Sequence, residues 1–210
     1  MHTNGATSNR FRFREFVARF SLLMASADNN EPLILSEGGK LLHGLITRDD
    51  WLPEEFAIPS HESYRKYLLY CDPYERFSVV SFVWGPAQHS PIHDHTVWGL
   101  AGVMRGAELC YDYASPVLGE PMRIRGEQRI APKQIDKFSP TIGDVHVVAN
   151  ALCSSPSVSI HVSGTNIGTI RRNVYEGSCG TARPFVSGYD NFLTPNFWKC
   201  RGAPPDMAPP

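Results

Sequence analysis

Apolar residues repeat with helical spacing near the start of the chain. Between residues 10 and 26, six apolar side chains share one helix face, namely Phe13, Phe16, Val17, Phe20, Leu23 and Met24. Such spacing is typical of an amphipathic helix. A second helix is predicted over roughly Ser36–Ile46 and a third around Glu62–Tyr70, where Asp72-Pro73 ends it. The pattern therefore predicts a mainly helical segment over about residues 10–72.

From Phe77 onward the pattern changes to short β-branched and aromatic runs separated by turn residues. Phe77–Trp84 is the first run and ends at Gly85-Pro86. Seven further strands are predicted over Val97–Met104, Glu108–Tyr113, Met122–Ile130, Gln134–Phe138, Asp144–Asn150, Ser157–Val162 and Ile167–Tyr175. Many short strands with regular turn signals are typical of a β-sandwich or β-barrel.

This pattern predicts one mainly β domain over residues 1–201. Its helical part, at about 10–72, is expected to pack on a β-barrel at about 76–195. The tail at 202–210 is rich in proline and is expected to be disordered.

Composition and charge exclude several classes of function. The 210 residues carry a net charge of −1, which argues against a nucleic-acid-binding surface. No apolar run approaches the ~20 residues of a membrane helix, and no signal peptide is evident, so a cytoplasmic location is expected. The five cysteines are widely spaced, which argues against a disulfide framework or a zinc ribbon. The pattern leaves the oligomeric state open.

Two histidine-bearing segments carry the candidate chemistry. In His93-Asp94-His95, two imidazoles separated by one residue are expected on the same face of a strand. A second segment reads Pro-x-x-Gly-x-x-His-x-x-x-Asn over residues 140–150 and places His146 directly after a turn. Imidazole is a common metal ligand. Together the segments predict a metal site inside a small β-barrel.

The two segments resemble the two motifs of the cupin superfamily. The second matches at each defined position, whereas the first lacks the glutamate that typical cupins carry a few residues after the second histidine. Its absence leaves three neutral imidazoles. Further stretches resemble the thiol dioxygenases, namely cysteine dioxygenase and its bacterial relatives, at Trp84-Gly85, Ser90–Thr96, Ser159–Val162, Asn166–Gly168 and Arg171-Arg172. The resemblance covers about residues 10–195 and is strongest to the bacterial branch active on 3-mercaptopropionate.

This resemblance implies a cupin-type jelly-roll barrel in which His93, His95 and His146 hold Fe(II). Three imidazoles leave three positions of an octahedral ion for a thiolate, a second substrate atom and O2. Conversion of a thiol to a sulfinate removes four electrons and O2 accepts four, so no external reductant is needed. The implied substrate is a small mercapto acid such as 3-mercaptopropionate or cysteine.

The resemblance also implies roles for residues around the metal. Arg172 would hold the substrate carboxylate through a forked pair of hydrogen bonds, and Ser159 would orient His161. In the family a tyrosine follows two residues after this histidine, but here the position is Ser163. The cysteine that pairs with this tyrosine in the animal enzymes would be expected at position 99 or 100, which here are Gly99 and Leu100. The Cys–Tyr crosslink of those enzymes is therefore excluded at this position.

Lys66 is a second departure from the family pattern. Relatives place an arginine or a glutamine near this position, on the predicted third helix. A lysine beside Arg172 would favour a dicarboxylate such as mercaptosuccinate over zwitterionic cysteine. Two alternatives stay open. One is a metal-binding cupin sensor without turnover, and the other is a cupin that isomerises sugars or decarboxylates acids.

Overall fold

The structure is a computed structural model and describes residues 9–197. Helices α1 (Arg10–Ser26) and α2 (Glu31–Ile46) come first. Eleven strands follow within the described range, namely β1 (Arg65–Cys71), β2 (Ser78–Trp84), β3 (Ile92–His93), β4 (Gly99–Arg105), β5 (Glu108–Tyr113), β6 (Ile124–Ile130), β7 (Ile135–Phe138), β8 (His146–Asn150), β9 (Ser157–Ser163), β10 (Arg172–Tyr175) and β11 (Ala182–Phe185).

The strands form two antiparallel sheets. The first has the order β1-β2-β9-β4-β7 and the second the order β11-β10-β3-β8-β5-β6. Strands β2 to β9 alone give two four-stranded sheets, β2-β9-β4-β7 and β3-β8-β5-β6, which is the arrangement of an eight-stranded jelly roll. The predicted fold, a mainly β jelly-roll barrel with a helical N-terminal extension, is confirmed.

The two faces of β9 show how the layers are stacked. Val158, Ile160 and Val162 belong to a large apolar core that α1 and α2 share with the first sheet. The alternate residues of β9 are polar, yet every residue of this strand is buried. Since neighbouring side chains point to opposite faces, the apolar row faces the helices and the polar row faces the barrel interior. The helices therefore cover the outside of the first sheet.

The predicted third helix is wrong, because Arg65–Cys71 is β1. This strand pairs antiparallel with β2. On its other edge, the Asp190 carboxylate accepts from the backbone N–H of Lys66 at 2.7 Å, and the Asn191 side-chain oxygen accepts from that of Leu68 at 2.8 Å. The aromatic content of this segment and these edge contacts favour a strand over the helix that its apolar spacing indicated. The α-helical part thus ends at Ile46 rather than near residue 72, and only a short 3-10 helix at Glu54–Phe56 follows before β1.

Other boundaries differ by smaller amounts. Helix α1 lies where it was predicted, but α2 begins at Glu31, where the side chain of Asn30 accepts from the N–H of Leu33 at 3.1 Å. An N-cap of this kind starts a helix. The predicted strand over 167–175 is limited to β10. A strand was expected to carry His93 and His95, but β3 covers only Ile92–His93, and β11 was not predicted. The predicted tail at 202–210 lies outside the described residues. No helix within residues 9–197 is long and apolar enough to cross a membrane.

Candidate metal centre

The three predicted histidines lie together inside the barrel. His93 ends β3 and pairs across the sheet with His146, the first residue of β8. His95 was expected on the same strand as His93, but β3 ends at His93 and His95 lies in the segment that connects β3 to β4. The Asp144 carboxylate holds this segment, because it accepts from the backbone N–H of His95 at 3.2 Å and of Thr96 at 2.9 Å.

The geometry of the three imidazoles fits a shared metal ion. Their ring centroids are 4.9 to 5.0 Å apart, and one candidate ligand atom from each lies within 4.8 Å of the others. Burial lowers the pKa of His93 to about 4. Burial, followed by mutual repulsion, holds the pKa values of His95 and His146 well below 6.5. All three rings are therefore neutral near pH 7, the state in which imidazole binds a metal.

Hydrogen bonds around the rings also fit metal binding. The Nδ1 of His93 lies 3.0 Å from the carbonyl oxygen of Pro91, so an N–H at that position leaves the Nε2 lone pair free. The Nε2 atoms of His95 and His146 face each other at 3.0 Å. Either an N–H···N hydrogen bond between the rings or a cation shared by the two lone pairs satisfies both atoms at this distance. The Nδ1 of His95 is buried and has no hydrogen-bond partner, so no hydrogen bond at Nδ1 fixes the tautomer of this ring.

The predicted turn before His146 is present. The N–H of Gly143 donates to the carbonyl oxygen of Ser139 at 2.7 Å, and the φ of Gly143 is 116°. This backbone conformation favours glycine. At the end of the motif, Asn150 donates its amide to three backbone carbonyls, among them that of Trp84 at 3.2 Å. Asn150 therefore anchors β8 to the loop after β2 and is not among the candidate ligands.

Asp94, between the two histidines, joins β3 to β10. Its carboxylate accepts from the backbone N–H of Asn173 at 2.8 Å, from the Asn173 amide at 2.8 Å and from the Tyr175 hydroxyl at 2.7 Å. These contacts fix the start of β10, which carries Arg172, beside the histidines.

Arg172 is buried in the wall of the cavity that contains the histidines. Its guanidinium lies 4.7 Å from the centre of the Phe185 ring and donates to the carbonyl oxygen of Asp94 at 3.4 Å. Its Nε is buried without a hydrogen-bond partner. The free volume of the cavity is about 30 Å³. Arg172 thus offers unused donor capacity to a small anionic ligand.

Lys66 lies on the wall of the same cavity, although it extends from β1 and not from a helix. Its Nζ is 5.2 Å from the centre of the Tyr64 ring. Burial lowers the pKa of Lys66, the negative charge of Asp190 opposes this shift, and the positive charge of Arg172 adds to it. The cavity wall thus carries two cationic side chains, Lys66 and Arg172, and Lys66 has the Asp190 carboxylate as a nearby opposite charge.

The predicted polar row on β9 also reaches this cavity. The Oγ of Ser159 lies 2.9 Å from the Nε2 of His161, and the His161 ring stacks on Phe82 with centroids 4.1 Å apart. Burial lowers the pKa of His161 to about 3. Ser163 is buried and lines the cavity two residues farther along the strand.

Sequence reasoning missed the aromatic walls of the cavity, formed by Tyr64, Phe82, Trp84 and Phe185. A signal existed for two of them, because residues 82 and 84 alternate on the interior face of β2. It also missed a second potential ligand group, Cys110, Asp136 and His146. Burial raises the pKa values of the Cys110 thiol and the Asp136 carboxyl group. Both are then poorer metal ligands than the three imidazoles.

No protein-family model matches the chain. It is similar to a solved protein with a double-stranded β-helix domain from Klebsiella pneumoniae, at 16% identity over 56% of this chain and 90% of that chain, with a TM-score of 0.44. A cupin superfamily protein from Desulfitobacterium hafniense matches at 10% identity over 57% of this chain and 94% of that chain, with a TM-score of 0.41. A cupin 2 domain-containing protein from Halorhodospira halophila matches at 15% identity over 57% and 74%, with a TM-score of 0.38.

Proposed function

We propose that the chain is an Fe(II)-dependent thiol dioxygenase that inserts both atoms of O2 into the sulfur of a small mercapto acid to give a sulfinate. The observation that carries the proposal is the pairing of three neutral imidazoles with a buried guanidinium in one small cavity. No carboxylate belongs to the group of His93, His95 and His146. A metal held by three neutral ligands keeps its full positive charge, which favours an anionic sulfur ligand.

The bound iron would supply the site for the thiolate and for O2. The surrounding residues would orient the substrate and keep water out. Arg172 would hold the substrate carboxylate, because its guanidinium donors match two carboxylate oxygens. The aromatic walls at Phe82 and Trp84 would limit the water content of the cavity. His161, whose ring lies in the same cavity, would offer a nitrogen to the substrate thiol.

Lys66 supports a narrower substrate class within the same chemistry. Its ammonium and the guanidinium of Arg172 line one cavity. Two cations suit a thiol with two carboxylates, whereas the ammonium group of cysteine would be repelled. Mercaptosuccinate is therefore our second candidate substrate beside 3-mercaptopropionate.

The test is O2 uptake by the iron-loaded protein with 3-mercaptopropionate, mercaptosuccinate and cysteine, together with mass spectrometry of the product. We expect thiol-dependent uptake and a product heavier by two oxygen atoms. Iron-loaded protein that consumes no O2 with any of these thiols would contradict the proposal and favour a metal-binding protein without turnover. Equal efficiency with cysteine and mercaptosuccinate would contradict the role of Lys66.

A further inference from the structure

Glu108 is a buried acid that neither packing nor an ion pair explains. It is the first residue of β5 and only 1% exposed. Among the described residues, no arginine or lysine forms a salt bridge with it. The Ser157 hydroxyl donates to its Oε1 at 3.4 Å, and Ser159 also hydrogen-bonds its carboxyl group. Burial of a carboxylate without a neighbouring cation costs folding free energy. A chemical role would explain why a glutamate occupies this position.

The polar row of β9 connects this acid to the cavity. Ser157, Ser159, His161 and Ser163 alternate along the strand and share its interior face. Ser159 is the link, because it hydrogen-bonds Glu108 and its Oγ lies 2.9 Å from the Nε2 of His161. The three side chains therefore form a continuous hydrogen-bonded path from the start of β5 to the cavity.

The donor and acceptor inventory gives this path a direction. An ionised Glu108 can only accept hydrogen bonds, so Ser159 donates its single hydroxyl proton to it. The Oγ of Ser159 must then accept from an N–H at the Nε2 of His161. A neutral imidazole carries one N–H, so its Nδ1 keeps a lone pair. Within the described residues this Nδ1 has no hydrogen-bond partner, and the ring lines the cavity.

We propose that Glu108 acts through Ser159 as a positioning residue that keeps the Nδ1 of His161 as an acceptor in the cavity, and that it is the final acceptor of the substrate thiol proton. This proposal rests on the proposed function. The S–H bond breaks and an N–H bond forms at Nδ1. The proton at Nε2 then moves to the Oγ of Ser159, whose own proton moves to the Glu108 carboxylate. Each proton is accounted for, and the step needs no oxidant or reductant.

The electrostatic surroundings of the path support this transfer. Burial raises the pKa of Glu108 to about 7, and the negative charge of Asp136 on β7 adds to the rise. Among the charged groups of the described residues, Asp136 is the one that shifts the pKa of Glu108. A carboxylate with this pKa accepts a proton far more readily than one with the ordinary value of 4.5. The buried ring of His161 does not retain a charge, so it passes a proton on.

The positioning role can be tested without metal or substrate. In 15N-histidine NMR spectra of the metal-free protein, with the signal assigned by His161→Gln, we expect the Nε2–H tautomer of His161. Glu108→Met has a similar volume but frees the Ser159 proton to donate to Nε2. We expect this variant, and Ser159→Ala as a second variant, to increase the Nδ1–H form severalfold. The matched control, Glu127→Met, changes an exposed residue of β6 and should leave the tautomer unchanged.

An unchanged His161 tautomer in Ser159→Ala, and in Glu108→Met if that variant folds, would overturn the positioning role.

The proton-acceptor role is tested by proton release during anaerobic binding of 3-mercaptopropionate to the iron-loaded protein, near pH 8. There the free thiol is largely protonated and Glu108 is largely ionised. We expect Glu108→Gln to release about one more proton per bound thiol than the unchanged protein.

Equal proton release would overturn the acceptor role. If the iron-loaded protein binds no thiol, the proposed function fails and the acceptor role fails with it. The tautomer experiment then still decides whether Glu108 positions His161.

Discussion

At the scale of single residues, Arg171 and Arg172 show how little sequence position alone reveals. Arg171 is exposed, whereas Arg172 is buried beside the three imidazoles. Arg172 is the first residue of β10, whereas Arg171 precedes the strand. The sequence indicated the pair through its resemblance to a family, and the structure separates the two roles.

This contrast predicts opposite outcomes for two matched substitutions. Arg172→Gln removes a guanidinium that would hold the substrate carboxylate, and charge-assisted hydrogen bonds are worth about 1.5–3 kcal/mol. We therefore expect KM for 3-mercaptopropionate to rise about 10- to 100-fold, with a smaller change in kcat. Arg171→Gln is the control and should leave steady-state kinetics unchanged. An unchanged KM in Arg172→Gln would refute the carboxylate role.

The histidines give a second prediction at this scale. His146→Ala removes one of three candidate ligands and also the ring that faces His95 at 3.0 Å. We expect iron content, measured by elemental analysis after purification and reconstitution, to fall to a small fraction of one ion per chain. His61→Ala changes an exposed histidine and should retain full iron content. Stoichiometric iron in His146→Ala would refute the assignment of this ligand.

At the scale of elements, the closeness of β4 and β7 shapes the metal centre. A Cβ added at Gly99 on β4 would lie only 2.0 Å from the ring of Phe138 on β7. That ring packs against His95 and His146, with centroid distances of 4.2 and 5.0 Å. The missing side chain at Gly99 therefore lets Phe138 lie where it supports two of the imidazoles.

Gly99→Ala should consequently disturb both stability and metal binding. Overpacking of a well-packed interior costs about 1–3 kcal/mol, and the displaced Phe138 ring would move against the imidazoles. We expect a lower Tm and weaker iron retention in a chelator competition. The control is Gly44→Ala on α2, where an added Cβ meets nothing within 4 Å and should stabilise the helix by up to ~1 kcal/mol. Iron retention equal to that of the unchanged protein would contradict this account.

The elements also show which parts of the fold were readable from the sequence. Helix α1 was predicted because its buried residues recur at helical spacing, and β5 because its ends are marked by turn residues. β1 was misread, since its stability comes from pairing with β2 and from contacts with Asp190 and Asn191, far along the chain. β3 has only two residues, which is too short for any periodic pattern.

The candidate site also contains some residues that the sequence identified and others that it did not. Local motifs identified the three histidines. The position of Glu108 beside Ser159 and the aromatic walls of the cavity depend on how the two sheets face each other. No spacing along the chain encodes that arrangement.

At the scale of the whole molecule, buried titratable groups make stability depend on pH. The folded-state pKa of His93 is about 4, below its ordinary value of 6.5. Its contribution to the free energy of unfolding is therefore fully present above about pH 6.5 and is lost as the pH falls through 4. For His93 alone this amounts to roughly 3 kcal/mol, and His161 acts in the same direction. We expect the Tm of the metal-free protein to fall over this range, and a constant Tm would contradict burial of neutral rings.

The contribution of Glu108 to the free energy of unfolding depends on pH in the opposite direction. Its folded-state pKa is about 7, above the ordinary 4.5, so its contribution is present below about pH 4.5 and is lost as the pH rises through 7. We expect Glu108→Gln to raise the Tm at pH 8 and to change it little at pH 4. Thermal unfolding followed by circular dichroism gives both values, with Glu127→Gln as the exposed control. A lower Tm for Glu108→Gln at pH 8 would show that the ionised carboxylate stabilises the fold.

The contacts that Asp190 and Asn191 make with the edge of β1 have a consequence for the order of events during translation. They close the side of the barrel that carries Lys66, yet they come about 45 residues after the last candidate ligand, His146. At roughly 5–20 residues per second, the ribosome needs several seconds to make this interval. All three imidazoles have thus been synthesised before that wall exists. The order of translation gives metal ions in the surrounding solution wider access to the nascent chain than the finished barrel offers.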